Sequence, residues 1–341
     1  MTQLTEKDTA LVTGGSGFLG RAIVKLLLAK GVNVNVLCRG DYPDLIDSGC
    51  KLFRGEVSDE KAVLEAAKGC TIVFHTAAKA GVCEPYSEYE RINYQGTLTL
   101  LNVCHQLGIE RFVYTSTPSV VIGHNGIRNG DESLPYLDVN EDTAYYPRSK
   151  TLAEKAVLTA NGPKLATVAI RPHLIWGPGD NHLVPRLVRK TRLGKMKFVG
   201  DGKNIVDTTF IDNAANAHIL AGEALSQNAK CAGKAYFITN GEPTPIAEIT
   251  NKLIACAGCG PVSATIPFKT AYYIGAVIEW VFRTFKLKSE QPITRWMACE
   301  LAQDHWFSIE AAKRDFGYEP KISIEEGLKI LTEHYKNHPI K

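Results

Sequence analysis

The sequence predicts a doubly wound α/β fold: a parallel sheet with helices on both faces, and a smaller C-terminal unit beside it. Three observations predict it. From Ala10 to Arg171, short β-branched apolar runs alternate with helix-length stretches, the pattern of strands buried on both faces. The first run ends in a glycine-rich turn that opens a helix. Beyond Arg171 the alternation gives way to turn clusters and aromatic-rich segments.

The elements follow in order. Ala10–Thr13 is the first strand and Gly20–Ala29 its helix. Val32–Cys38, Thr71–Thr76, Arg111–Thr115 and Ala166–Arg171 are further strands. Lys61–Lys68, Tyr89–Leu107 and Pro147–Ala160 are the helices between them, with Pro147 suited to a first helical position. Then come a turn at Gly177-Pro178-Gly179-Asp180, a basic helix Val184–Leu193 and a second turn at Gly200-Asp201-Gly202. Val206–Leu225 and the strand Ala235–Thr239 return to the core. This divides the chain into a sheet unit (1–176 and 205–240) and a smaller unit over the site (177–204 and 241–341).

Composition narrows the class. The chain has 341 residues, 45% hydrophobic and 22% charged, as in globular proteins. A net charge of +3 gives no wide basic face, which argues against a nucleic-acid partner. Nine scattered cysteines argue against a disulfide scaffold and for a reducing, cytoplasmic setting. Neither a signal peptide nor a transmembrane segment is expected. Ala271–Phe282 is the most apolar stretch, too short to span a membrane. It reads as an amphipathic helix covering an apolar pocket, with a peripheral membrane helix as the alternative.

Gly14, Gly17 and Gly20 follow the spacing GxxGxxG. Such a turn lets backbone N–H groups and a helix N-terminus approach a pyrophosphate. Cofactor choice falls at the end of the second strand, where Cys38 stands in place of a ribose-binding acid. Arg39 beside it can pair with a 2′-phosphate, which favours NADP(H), while Asp41 keeps NAD(H) open. Tyr146 and Lys150 are four residues apart and share a helix face. A nearby ammonium is expected to lower the phenol pKa. The strand ending in Thr115-Ser116-Thr117 precedes this pair and supplies a third hydroxyl. No metal-ligand constellation is seen, and Cys256-Ala257-Gly258-Cys259 is a lone CxxC.

Together, the glycine turn, His75-Thr76-Ala77-Ala78, Asn93-Tyr94-Gln95-Gly96-Thr97, Thr115-Ser116-Thr117, Tyr146–Lys150 and Arg171-Pro172-His173 carry a resemblance. The chain resembles the extended short-chain dehydrogenase/reductases, within them the 3β-hydroxysteroid dehydrogenase/isomerase branch. Tyr114–Ile122, Arg171–Asp180, Val206–His218 and Ala302–Tyr318 look closest to bacterial members that reduce 2-alkyl-3-oxoalkanoates in long-chain olefin biosynthesis.

The resemblance implies an NAD(P)-binding Rossmann core. It implies Tyr146 as general acid/base, Lys150 as its partner, and Thr117 as the hydroxyl on the reacting oxygen, with Ser116 the alternative. The implied cofactor contacts are Gly14, Ser16, Gly17, Phe18, Leu19, Gly20, Arg39, Val57, Ala77, Ala78, Asn93, Thr115, Tyr146, Lys150, Pro172, His173 and Leu174. The expected substrate is a lipid-like β-keto acid, with Lys79 first and His173 second as the cation for its carboxylate, and Phe268–Phe285 walling the cavity. Alternatives are a 3β-hydroxysteroid or 4-carboxysterol dehydrogenase, a sugar-nucleotide epimerase and a non-catalytic redox sensor. A homodimer paired through Tyr89–Leu107 and Pro147–Ala160 is expected. Association with other enzymes of the same pathway is a further expectation.

Overall fold

A computed structural model describes residues 3–81, 85–123, 125–139, 145–285, 287 and 291–340. Seven parallel strands form the main sheet in the order Lys234–Ile238, Ala166–Pro172, Arg111–Thr115, Ile72–His75, Thr9–Thr13, Asn33–Cys38, Lys51–Arg54. The order reverses direction at the first strand, between Thr9–Thr13 and Ile72–His75. In open α/β sheets such a switch point is where ligands bind, at the carboxyl ends of the strands.

Successive strand residues face opposite sides. Ala10 and Val12 therefore join one apolar layer, under the helices Phe18–Ala29 and Ile211–Ala224. Leu11 joins the other, under Glu60–Ala67, Gly96–Leu107 and Tyr145–Thr159. The doubly wound fold predicted from the alternation is present. The last strand, Lys51–Arg54, escaped prediction because its four residues are half-buried or exposed and carry little apolar pattern.

A second sheet joins Thr244–Pro245, Ile205–Val206, His305–Phe307 and Ile127–Gly130. It collects strands from distant parts of the chain. Ile309, Ala312, Phe316 and Tyr318, late in the sequence, pack in the first layer of the main core. The helices Phe268–Phe285 and Arg295–Ala302 lie against each other outside that core.

Two helices differ from expectation. The stretch read as one helix from Tyr89 begins with Tyr86–Tyr89, widens into a π-helical segment Glu90–Gln95, then continues as Gly96–Leu107. The helix expected to begin at Pro147 already includes Tyr145, the first described residue of this stretch.

Candidate active site

The glycine turn closes the gap between first strand and first helix. Gly14 has φ +69°, and a Cβ there would lie 2.8 Å from the Ala77 nitrogen. A Cβ on Gly20 would overlap the Gly14 carbonyl. The turn is thus as close to the Ala77 loop and to its own helix as a backbone allows. Gly17 caps the helix without any side-chain hydrogen bond, and no acid lies in its first turn. The positive end of this helix is therefore left for an external anion. Ser16 and Gly17 border it, with Phe18 and Leu19 half-buried at its first turn. These residues fit a dinucleotide's pyrophosphate.

Around it, Thr76 Oγ1 donates to the Thr13 carbonyl at 2.7 Å, fixing the Ala77-Ala78 loop. Val57 is buried against Gly96. Arg39 extends from the end of its strand with its side chain 74% exposed, 4.0 Å from Glu56. Asp41 pairs instead with Arg54 at 3.4 Å. Cys38 is buried, and its thiol donates to the Gly40 carbonyl at 3.4 Å.

Of the three residues expected to be catalytic, Tyr146 and Thr117 lie together beyond the carboxyl end of Arg111–Thr115, and Lys150 reaches the Thr115 carbonyl there. Tyr146 is hydrogen-bonded to the Thr117 hydroxyl. Thr117 Oγ1 also accepts from the Ser119 backbone at 3.3 Å and lies 3.0 Å from Ser119 Oγ. Of the two alternatives left by the sequence, the structure brings Thr117 to the phenol. Ser116 is buried, with no hydrogen-bond partner for its Oγ.

The expectation that an ammonium lowers the Tyr146 pKa is not met. Burial dominates and pushes the phenol up to about 12, and the Thr117 hydrogen bond only partly offsets it. Lys150 donates to the Thr115 carbonyl at 2.6 Å and lies over the Tyr114 ring at 4.2 Å. Burial lowers its pKa to about 7, and Glu154 opposes that shift. Glu154 is itself held by Arg171 Nε at 3.0 Å and by the Tyr136 hydroxyl at 2.7 Å.

Asn93 lies in the π-helical segment and is buried. Its Oδ1 accepts from the Lys79 amide at 2.7 Å, and its Nδ2 donates to the Lys79 carbonyl at 3.0 Å and to Ser149 Oγ at 2.9 Å. One side chain thus ties the Lys79 loop to the helix Tyr145–Thr159. π-Helical insertions are often found at such sites. Lys79 is half-buried rather than enclosed, and its charge helps hold the nearby Glu88 carboxyl low.

His173 departs from its second assigned role. It is buried after Pro172, its Nδ1 is 2.6 Å from Asp207 and its Nε2 is 3.3 Å from His305 Nδ1. Both ring nitrogens are engaged, so it does not stand ready for a substrate carboxylate. Leu174, next in the chain, adopts φ +41°.

The sequence reading missed several groups. Asp207 and His305 lie far from His173 in the chain and carry no motif of their own. Glu300 sits on Arg295–Ala302, partly exposed, and its charge is felt at Tyr146. Burial lifts its carboxyl to about 7, with His173 opposing. His75 had been noticed only as part of a motif. It bridges Thr13 Oγ1 at 2.7 Å and Thr97 Oγ1 at 3.0 Å, and burial lowers its pKa to about 3.

The 3-beta hydroxysteroid dehydrogenase/isomerase family matches residues 11–268. The chain belongs to that family. This family member is 50% identical to 2-alkyl-3-oxoalkanoate reductase of Stenotrophomonas maltophilia, covering 94% of this chain and 97% of that protein. The 2-alkyl-3-oxoalkanoate reductase of Shewanella oneidensis is 45% identical, over 94% and 85%. Sterol-4-alpha-carboxylate 3-dehydrogenase, decarboxylating, of Mus musculus is 38% identical, over 97% and 92%. Among solved structures, UDP-glucose 4-epimerase of Thermotoga maritima superposes with a TM-score of 0.74 at 21% identity, over 97% of this chain and 99% of that one. At that identity the likeness concerns the fold. As its family places it, this member of the 3-beta hydroxysteroid dehydrogenase/isomerase family is an oxidoreductase of the short-chain dehydrogenase/reductase type.

Proposed function

We propose that this enzyme uses NADPH to reduce the 3-keto group of a 2-alkyl-3-oxoalkanoate to the 3-hydroxy acid. The observation that carries the chemistry is the Tyr146–Thr117 hydrogen bond at a phenol pushed up to about 12. Such a phenol keeps its proton at neutral pH, as the donor in a ketone reduction must. The two bacterial relatives named 2-alkyl-3-oxoalkanoate reductase support the substrate class.

When bound, the reduced nicotinamide supplies a hydride to the ketone carbon. The chain handles the oxygen. As the carbonyl electron pair moves onto oxygen, Tyr146 gives up its phenolic proton and Thr117 donates a hydrogen bond to the same atom. Lys150, four residues on from Tyr146 and held on the Thr115 carbonyl, is the cation assigned to the tyrosinate left behind. Asn93 fixes the Lys79 loop against this helix, and Lys79 is the cation for the substrate carboxylate. Arg39 selects NADPH over NADH, because Cys38 offers no carboxylate and Asp41 is tied to Arg54. We extend this reading to a homodimer paired through Gly96–Leu107 and Tyr145–Thr159, whose mass light scattering reads directly.

The relative that acts on 4-carboxysterols favours a second reading, alcohol oxidation. Both directions pass through the same proton transfer at Tyr146, so substrate and cofactor, not the phenol, separate the two readings. The test is NADPH oxidation with a 2-alkyl-3-oxoalkanoate, the matching ketone without its carboxylate, and a 3-ketosterol. We expect the acid to be the best substrate and Lys79→Ala to reduce turnover of the acid far more than of the ketone. Tyr146→Phe is expected to lower turnover by about 10²–10⁴ while NADPH still binds. Near-normal turnover by that variant, or equal rates for acid and ketone, would remove this function.

A further inference from the structure

Asp207, His173 and His305 form a hydrogen-bonded chain that the mechanism above leaves unused. All three are buried, at 1%, 3% and 2% exposure. His173 follows Ala166–Pro172 of the main sheet, Asp207 follows Ile205–Val206, and His305 opens His305–Phe307. The chain therefore crosses from the main sheet to the second one. Asp207 Oδ2 accepts from the Phe307 amide at 2.7 Å, and its Oδ1 lies 2.6 Å from His173 Nδ1. His173 Nε2 lies 3.3 Å from His305 Nδ1, and His305 Nε2 donates to the Glu300 main-chain carbonyl at 2.7 Å.

Counting protons along this chain fixes its charge. Both ends can only accept. The Glu300 carbonyl has no proton to give, and the Asp207 carboxylate, already accepting from an amide, has none either. The three links between these ends need three ring protons. Two neutral imidazoles bring only two, one on each ring. A third proton is therefore held, and it belongs on His173, the ring in contact with the carboxylate. His305 is the wrong place for it, because burial and then the His173 charge hold its pKa at about 3. His173 is thus an imidazolium that donates from Nδ1 to Asp207 and from Nε2 to His305. The Phe307 ring packs edge-on against it, with centroids 5.3 Å apart at 89°.

A buried ion pair adds little net stability, because desolvation offsets most of the attraction. What a fully satisfied polar chain does add is a fixed distance and angle between the parts it joins. The part joined here is the helix Arg295–Ala302. Glu300 lies in its last turn, where a helix has no amide of its own to offer a carbonyl, and His305 fills that place. The Glu300 side chain is carried by the same turn. Its charge acts on Tyr146 and is itself drawn on by His173. We propose that Asp207, an imidazolium at His173, and His305 are positioning residues that pin the helix Arg295–Ala302 and so set Glu300 toward the proton donor Tyr146. The positioning rests on Tyr146 having the role given above, whereas the proton count is independent of it.

The experiment has a spectroscopic and a kinetic arm. In nitrogen NMR of the full chain labelled at histidine, at neutral pH, we expect His173, assigned by its loss in His173→Gln, to carry a proton on both ring nitrogens. His305 should be neutral, with its proton on Nε2. Asp207→Asn should remove one proton from His173. In the kinetic arm, turnover is read with any ketone that the enzyme reduces. His305→Phe should lower kcat on the order of tenfold to a hundredfold while NADPH still binds. His305→Gln should recover most of that loss, because a glutamine amide donates to the Glu300 carbonyl while its oxygen accepts from His173. On a Glu300→Gln background, His305→Phe should have little further effect, since the group it positions is already gone. The proposal is overturned by a single ring proton on His173, by unchanged kcat in His305→Phe, by no recovery in His305→Gln, or by an undiminished loss on the Glu300→Gln background. The spectrum of the unaltered protein decides the proton count even where a variant fails to fold. Near-normal turnover by Tyr146→Phe would remove the function proposed above with that spectrum unchanged, whereas a neutral His173 would remove the present proposal with that function intact.

Discussion

The first helix of the sheet unit and the Phe268–Phe285 helix solve opposite problems with the same residue types. Phe18–Ala29 buries Ile23, Val24 and Leu27 in the core and uses Gly20 to bring its N-terminus onto the turn. Phe268–Phe285 fully buries only Ala271 and Gly275, half-buries Tyr272, Ile278 and Phe282, and leaves Tyr273, Val277 and Trp280 exposed. In the first, glycine permits close approach to a ligand site and the helix is anchored by area removed from water. In the second, glycine permits close approach to another helix and little apolar area anchors it. An amphipathic pattern therefore states that one face is apolar, and leaves open which face meets the protein.

The sharpest break of this comparison is a single methyl group in each helix. Gly20→Ala forces a methyl into the Gly14 carbonyl and should destabilise the whole fold by about 3 kcal/mol or more. Gly275→Ala pushes against the Thr294–Arg295 backbone and should cost about 1–3 kcal/mol, confined to the outer pair of helices. Chemical denaturation should show one lowered transition for Gly20→Ala. For Gly275→Ala, proteolysis near Thr294 should rise while NADPH binding is kept. Equal global losses would mean that the outer helices are part of the main cooperative unit.

A further expected effect is a dependence of stability on pH. His75 and His218 in the sheet unit are held neutral by burial, with pKa values of about 3 and about 4, and His305 in the second sheet at about 3. Each lies below the unfolded value of about 6.5, so the unfolded chain binds more protons in this window. Stability should therefore fall as pH drops below about 6.5, by about 1.4 kcal/mol per pH unit for each such group. His218→Gln should flatten the slope of melting temperature between pH 6.5 and 5. An unchanged slope would show that His218 is not one of these groups. The smallest effect is Arg39→Ala, expected to weaken NADPH about tenfold and leave NADH nearly unaltered. Equal weakening of both would assign Arg39 no part in choosing the cofactor.

What could be read from the sequence follows the same divide. The turn Gly14–Gly20, the order of strand and helix, and the placing of Tyr146 and Lys150 on one helix are local patterns, and local rules reach them. Thr117 was narrowed to two hydroxyls because adjacent residues at a strand end point different ways, and only the fold shows which way. The links from His173 to Asp207 and His305 join residues 34 and 132 positions apart, across two sheets. No spacing rule covers such distances. The Tyr146 pKa was misjudged for a related reason. Sequence shows that an ammonium is near, while the extent of burial belongs to the packed molecule, and there burial prevailed.

The π-helical segment Glu90–Gln95 has a consequence for insertions and deletions in this part of the chain. A π turn holds roughly one more residue than an α turn, and each residue turns a helix by about 100°. Tyr86–Tyr89 and Gly96–Leu107 are therefore out of phase with any single helical wheel drawn through both. Removing one residue between Glu90 and Gln95 would let the wheel close. The two ends would then be brought into register by rotating one past the other, and Asn93 could no longer reach the Lys79 backbone and Ser149 together. The extra residue is thus a length requirement, and a sequence of the same composition one residue shorter here would keep the helix and lose the brace between the Lys79 loop and the helix that carries Tyr146.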